Sequence, residues 1–295
     1  MIKTNVDKLI KLSVMGEIIS PTLRQIYKVS ATGTPFVLPS VGGITYNLRV
    51  GDPAVGWEAD HVEPGISLEN KEADPSTGRS ANTAFNVFSC IGNQVIIASG
   101  DAKGDIGVVT GKHGGIEHVL ADFSSSVTDK LLIGDRVLVK AFGVGLSLID
   151  YPDVKVFNMD PSLLEALNPR PNGEKLVVPV THLIPAAIMG SGLGSSSVNT
   201  GDYDIQLFDQ TVIKQYNLQT LRLGDIVAII DADHSFGRIF HQGAISVGVV
   251  VHTNCFSAGH GPGVTTIMSS TEGKIVPQIN SKANIASLLK LRADI

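Results

Sequence analysis

The chain has 295 residues, of which 43% are hydrophobic and only 17% charged, with a formal net charge of −5 and an isoelectric point near 5.9. That length holds one large domain or two ordinary ones, and this pairing of apolar content with low net charge excludes a disordered chain. The acidic balance, with no Lys/Arg block longer than a pair, excludes extended nucleic-acid wrapping; no run approaches the roughly 18 apolar residues of a membrane span.

A mean hydropathy of +0.21 with so few charges implies surface that is neutral polar or covered by other subunits, so a homo-oligomer is expected. Cys90 and Cys255 lie far apart and neither has a Cys-x-x-Cys partner. A disulfide between them is open, but two cysteines suit a reducing compartment equally. Residues 1–8 carry lysines without a signal peptide's apolar core, and a cytoplasmic location is expected.

The first notable segment runs from Trp57 and Glu58 into Asp60-His61-Val62-Glu63-Pro64-Gly65. If it is extended, His61 and Glu63 share a face and Asp60 points away. An imidazole and a carboxylate so placed can bind a divalent metal or act as base and orienter. Two ligands are too few, so others must come from elsewhere; a polar turn with a salt-bridged histidine is the plain alternative.

A short step then recurs: an apolar residue, Gly, Asp or Asn, then a valine-bearing strand. It occurs at Ile91-Gly92-Asn93-Gln94-Val95, Ile133-Gly134-Asp135-Arg136-Val137 and Leu223-Gly224-Asp225-Ile226-Val227. Glycine supplies positive φ, the Asp/Asn side chain braces the turn, and valine opens the strand, as in small β-barrels. Strands are predicted over 94–98, 136–140, 226–230 and 245–251, the last apolar on both faces and therefore central. Between the first two steps lies Gly111-Lys112-His113-Gly114-Gly115. Its glycines free backbone N–H groups for an anion while Lys112 and His113 add positive charge; a hairpin turn is the alternative.

Four prolines over 150–173 place a boundary near Asp150, giving halves 1–150 and 151–295. Asp160-Pro161 caps a helix carrying Leu163, Leu164 and Leu167, which Asn168-Pro169 stops. Gly190-Ser191-Gly192-Leu193-Gly194 lacks the strand–loop–helix context of a nucleotide loop and suits a lid or substrate-lining loop. In Gly201-Asp202-Tyr203-Asp204, the two aspartates share one side of a strand and can hold a cation. Asp231 and Asp233 alternate onto one face at the end of an apolar strand, followed by His234 and Arg238 as base, ligand or anion clamp. His252 in the apolar run reads as a core histidine, whereas Gly259-His260-Gly261-Pro262-Gly263 lets backbone approach a ligand closely. A C-terminal helix is predicted over 281–291, with Ala283, Ile285, Leu288 and Leu289 on one face.

These readings give a mainly β fold of two barrel-like or sandwich-like halves, with few short helices and a C-terminal helix. The candidate catalytic residues are His61, Glu63, His234 and His260. Candidate ligand-binding residues are Lys112, His113, Gly114, Gly192, Gly194, Arg238 and Gly261. Candidate metal ligands are His61, Glu63, Asp202, Asp204, Asp231 and Asp233, and a divalent metal is the cofactor they suit.

Taken together, Asp60-His61-Val62-Glu63-Pro64-Gly65, Gly111-Lys112-His113-Gly114-Gly115, Gly201-Asp202-Tyr203-Asp204-Ile205-Gln206 and Gly259-His260-Gly261-Pro262-Gly263 resemble a prokaryotic family known only as a domain of unknown function. The resemblance spans nearly the whole chain and implies a β-rich two-part fold, without a reaction or cofactor. In the second half, Asp202-Tyr203-Asp204, Leu223-Gly224-Asp225 and Asp231-Ala232-Asp233-His234 are more distantly similar to the acetamidase/formamidase family of metal-assisted amide hydrolases. Only Asp204 matches that family's asparagine-x-aspartate motif, and its glycine-aspartate-glycine-histidine stretch is not reproduced around His234. The leading expectation is a metal-assisted hydrolase or related small-molecule enzyme with a pocket between the halves. The competing ones are a non-catalytic small-ligand or anion binder and a structural or assembly protein.

Overall fold

In the computed structural model, which describes residues 2–72 and 80–292, the glycine steps start strands as their sequence requires. Gly92, Gly134 and Gly224 have φ of 101°, 90° and 85°. In each turn the following side chain reaches back to an amide three residues earlier. Asn93 Oδ1 accepts from Cys90 N–H at 2.8 Å, Asp135 Oδ2 from Leu132 N–H at 2.9 Å, and Asp225 Oδ2 from Arg222 N–H at 2.9 Å. A fourth copy, Val50-Gly51-Asp52, brings Asp52 Oδ2 to Arg49 N–H at 2.7 Å but leads into Pro53 instead of a strand.

The first half contains β1 (Leu12–Ile18), β2 (Lys28–Val29), β3 (Pro35–Phe36), β4 (Ile66–Glu69), α1 (Ala81–Phe88), β5 (Gln94–Ile97), β6 (Ile106–His113), β7 (His118–Asp122), α2 (Ser125–Thr128) and β8 (Arg136–Ala141). Six of these strands close a barrel in the order β1-β4-β7-β6-β5-β8, while β2 and β3 form a separate hairpin. Alternate residues of each strand point inward, and Ile18, Leu68, Val95, Ile97, Val109, Val119, Val137 and Val139 fill the barrel. Helix α1, capped by the Ser80 hydroxyl, seats buried Phe85 against Gly16, where a Cβ would come within 2.6 Å of the ring.

The second half contains β9 (Lys155–Val156), α3 (Pro161–Leu167), β10 (Arg170–Asn172), β11 (Lys175–Val180), β12 (His182–Pro185), α4 (Gln210–Gln215), β13 (Ile226–Asp233), β14 (Ile239–Val250), β15 (Val264–Ser270), β16 (Ile275–Ile279) and α5 (Ile285–Leu288). Its main sheet runs β12-β13-β14-β15-β9, with β14 central and buried from Ala244 to Val250, and a smaller sheet runs β10-β11-β16. Helix α3 starts where Asp160 caps Ser162 N–H and ends at Asn168 in the left-handed region. The C-terminal helix is much shorter than the 281–291 expected. Asn284 holds extended backbone, caps Ala286 N–H and donates to Asp225 Oδ1, and Lys290 turns left-handed soon after α5 ends. No helix among the described residues is long and apolar enough to cross a membrane.

The halves share core. One cluster joins Val50, Ile91, Leu120 and Leu148 to Leu163, Val178, Val247 and Ile267; another joins Leu48, Ala54 and Val62 to Tyr203, Ile205 and Ile229. Backbone pairing crosses the same junction: Val62 N–H donates to Thr253 Oγ1, and Thr253 N–H returns to Val62 O. Thr265 Oγ1 likewise bonds both the N–H and the carbonyl of Lys112. This stitching sets the site.

Candidate functional site

Four segments converge on the junction. Residues 60–63 lie beside 253–254 through the pairing just described, and His113 ends the buried stretch of β6. Residues 202–205 pair antiparallel with 262–264, since Tyr203 and Val264 exchange both backbone bonds and Ile205 N–H donates to Pro262 O. Period-two alternation sends Tyr203 into the core and puts Asp202 and Asp204 together on the opposite face. His252 follows β14 directly, at the end of the buried run.

The first group is His61, Asp204 and His260, whose ligand atoms lie within 4.8 Å of one another. His61 Nε2 is 3.1 Å from His260 Nδ1 and 3.6 Å from Asp204 Oδ2, and His260 Nδ1 is 3.0 Å from Asp204 Oδ2. Tetrahedral zinc with metal–nitrogen bonds of about 2.0–2.1 Å sets its ligand atoms about 3.3 Å apart, so these separations fit a metal's coordination edge. The second group is His113, Asp202 and His252. His252 Nε2 is 2.7 Å from Asp202 Oδ2, and the His113 and His252 rings stack with centroids 4.2 Å apart. Asp204 straddles the two groups: Oδ2 belongs to the first, and Oδ1 is 3.8 Å from His252 Nε2.

The outer hydrogen bonds fix which nitrogen faces inward. His61 Nδ1 lies 3.0 Å from Asp60 Oδ1, His113 Nδ1 2.6 Å from Glu63 Oε1, and His252 Nδ1 2.8 Å from Thr253 O. These acceptors take the Nδ1 proton in all three rings, and the Nε2 lone pairs of His61 and His252 turn toward Asp204 and Asp202. Lone pair faces carboxylate, an arrangement that demands positive charge between them. Protons meet that demand at His61 and His252 in the cation-free protein, whereas burial, with the neighbouring His252 charge, lowers His113. Burial opposes charge on His61, but Asp204 and Asp60 outweigh it and hold the imidazolium up to about 11. Burial likewise opposes charge on His252, and Asp202 overcomes it and raises this group too.

Glu63 therefore acts one layer out. Fully buried, its carboxylate accepts from His113, His118, Gly42 N–H and the Ser67 hydroxyl. Burial would raise its pKa, yet His113 and His118 hold it well below the usual carboxylate range. Glu63→Gln replaces this acceptor with an amide and should weaken divalent-metal affinity 10- to 100-fold, as loss of a ligand-orienting carboxylate does. A competition titration against a chromophoric chelator checks it; unchanged affinity would remove Glu63 from the account.

The geometry corrects several sequence expectations. Residues 60–63 are not an extended run, because His61 has φ of 61°. That turn puts Asp60 behind the His61 ring and sends Glu63 to His113, so His61 and Glu63 share no face. Lys112 does not reach the cleft: wholly buried, its ammonium donates to Asn158 Oδ1 at 2.7 Å and Asn199 O at 2.6 Å. Asp231 and Asp233 are separated by a β-bulge between Ile230 and Ala232. Asp231 accepts from Gly243 N–H, and Asp233 from Ser235 N–H, Ser269 and Thr271. His234 is buried against Tyr203 with Nδ1 on Thr266 Oγ1, and burial lowers its pKa to about 3.

The glycines serve the carboxylates. Gly114 N–H donates to Asp202 Oδ1 at 2.8 Å and Gly261 N–H to Asp204 Oδ2 at 3.3 Å. A Cβ on Gly261 would collide with the Ile205 carbonyl. Gly192 and Arg238 line the cleft with His61, His113, Gly114, Asp202, Asp204 and His260, while Gly194 binds its backbone N–H to Arg238 O. The cleft measures about 690 Å³, the size of a small-molecule site. His252 was missed because a histidine in an apolar run looks like core, although its place at the end of a buried strand was a usable signal. Asp60 and Cys255 were missed as well. With His61 they form a third close group, Cys255 Sγ lying 2.9 Å from Asp60 Oδ1.

Sequence profiles of one family match both halves: domain of unknown function DUF4438, N-terminal, over residues 27–165, and its C-terminal counterpart over 167–289. The crystal structure of TM1086 is similar to the whole chain, with 49% identity, a TM-score of 0.91, and coverage of 97% of this chain and 98% of that one. None of the curated proteins compared with the chain matches it.

Proposed function

We propose, for a chain that belongs to the DUF4438 family over both halves, a metal-assisted hydrolase acting on a small molecule in the cleft between them. The observation that carries this reading is the meeting of His61, His113, His252 and His260 with Asp202 and Asp204 in two close groups, three of the rings pinned by an outer acceptor. His61, Asp204 and His260 would hold one cation and His113, Asp202 and His252 a second, and Asp204 Oδ1 lies 3.8 Å from His252 Nε2 in the second group. When bound, a divalent cation polarises a carbonyl and lowers the pKa of its water to about 7.

The chain's own residues bind and orient. Asp60 and Glu63 fix the ring tautomers, Gly114 and Gly261 hold the two aspartates, and His260, whose side chain is 39% exposed, forms the open side. The distant similarity to acetamidases and formamidases orders the candidate bonds, amides first. The test is a panel of short primary amides, lactams and esters, read by ammonia release for the amides, chromatography of the ring-opened amino acid for the lactams and proton release for the esters. Turnover that needs Zn²⁺ or Mn²⁺ and stops on chelation is expected. Tight metal binding with no turnover on any member would favour a non-catalytic binding protein.

A further inference from the structure

Arg238 sits in the connection between β13 and β14 and lines the same cleft. Its backbone is fastened on both sides: its N–H donates to Ser195 O at 2.9 Å, and its carbonyl accepts from Gly194 N–H at 2.9 Å. The residue is only 3% exposed, yet among the described residues no carboxylate pairs with it. Nη2 donates to Thr200 O at 3.3 Å, and among the described residues Nε has no hydrogen-bond partner. Other arginines of the structure are spent: Arg49 forks onto Asp122, and Arg24 donates to Gly115 O.

A buried guanidinium with unused donors is costly to maintain unless something else completes it. Its planar fork matches two oxygens on one centre, as in a carboxylate or a phosphate. It lines the cleft beside Gly192, where a Cβ would stand 3.4 Å from Nη1 and 2.6 Å from Asp202 O. The guanidinium is thus next to the Asp202 segment, on the same wall of the cleft. A pocket of about 690 Å³ is the size of a small-molecule site.

We infer that Arg238 is the anion-recognition residue of this site, and that the substrate is a small carboxylate- or phosphate-bearing molecule whose anionic end docks there while its hydrolysable bond lies at His61, Asp202 and Asp204. The inference rests on the hydrolase reading for the second clause only. The first clause stands on Arg238 alone.

Calorimetric titration of the Zn²⁺-loaded full-length chain tests it with succinamate, its phosphonate analogue, and butyramide as the neutral control. At least one anion should bind tenfold or more tighter than butyramide, and the stronger of the two identifies the anion class. Arg238→Gln should abolish that preference and Arg238→Lys retain part of it, with metal content unchanged in both. Preference retained in the Gln variant, or absent from the parent, overturns the inference. If the chain holds no divalent cation, the hydrolase reading fails by itself. The same titrations on the cation-free chain then decide the Arg238 site by the same criterion, and the Lys variant reads it should the Gln variant fail to fold.

Discussion

Replacing Asp204 with Asn should reduce bound divalent metal from two equivalents to one or none and weaken any remaining site on the order of 100-fold or more. The substitution keeps the shape of the side chain and removes its charge. Among the described residues Asp204 is the one carboxylate that reaches both groups, with Oδ2 3.0 Å from His260 Nδ1 and Oδ1 3.8 Å from His252 Nε2. Removing an orienting group behind a metal ligand already costs 10- to 100-fold in affinity, so a residue positioned as a ligand to two cations should cost at least the upper figure. Elemental analysis after equilibrium dialysis measures it. A D204N protein that keeps both equivalents would show that Asp204 bridges nothing.

Gly263→Ala attacks the second group without changing any candidate ligand. Gly263 has no positive φ, so alanine suits its backbone. Its missing Cβ is what permits the Asp202–His252 pair: the three nearest atoms to a Cβ there are Asp202 Oδ2, His252 Nε2 and His252 Cδ2, all too close for a real contact. The methyl group should force the pair apart, abolish the cation at His113, Asp202 and His252, and leave that at His61, Asp204 and His260. Crowding a packed site costs about 1–3 kcal/mol, so a lower melting temperature should accompany the loss. Two equivalents retained in G263A would mean that Asp202 and His252 do not hold a cation together.

What could be read from the sequence, and what could not, follows from the range of the interactions. The glycine steps at 92, 134 and 224 are local, each a positive φ plus one side chain returning three residues, and they appear where the residues require them. Helix α3 is equally local, set by Asp160 at one end and Asn168 at the other. The C-terminal helix was over-read because its apolar spacing is helical, whereas Asn284 is committed to Asp225, 59 residues away. Long-range pairing overrides local pattern there.

The same limit governed the site. Alternation correctly placed Asp202 and Asp204 on one side, because their pairing with 262–264 is regular. It failed at Asp231 and Asp233, where a bulge intervenes, and at His61, whose left-handed backbone breaks the alternation between 60 and 63. The meeting of His61 with His260 spans 199 positions and that of Glu63 with His118 spans 55. No spacing rule within either segment encodes those contacts; they depend on how the two halves lock together.

The most direct test is anomalous diffraction from crystals soaked in Zn²⁺ or Mn²⁺, recorded above and below the metal's absorption edge. Two peaks are expected, one flanked by His61, Asp204 and His260, the other by His113, Asp202 and His252, with Asp204 contacting both. No peak among these six side chains, or a single peak behind His61 at Asp60 and Cys255, would contradict a metal-assisted site in the cleft.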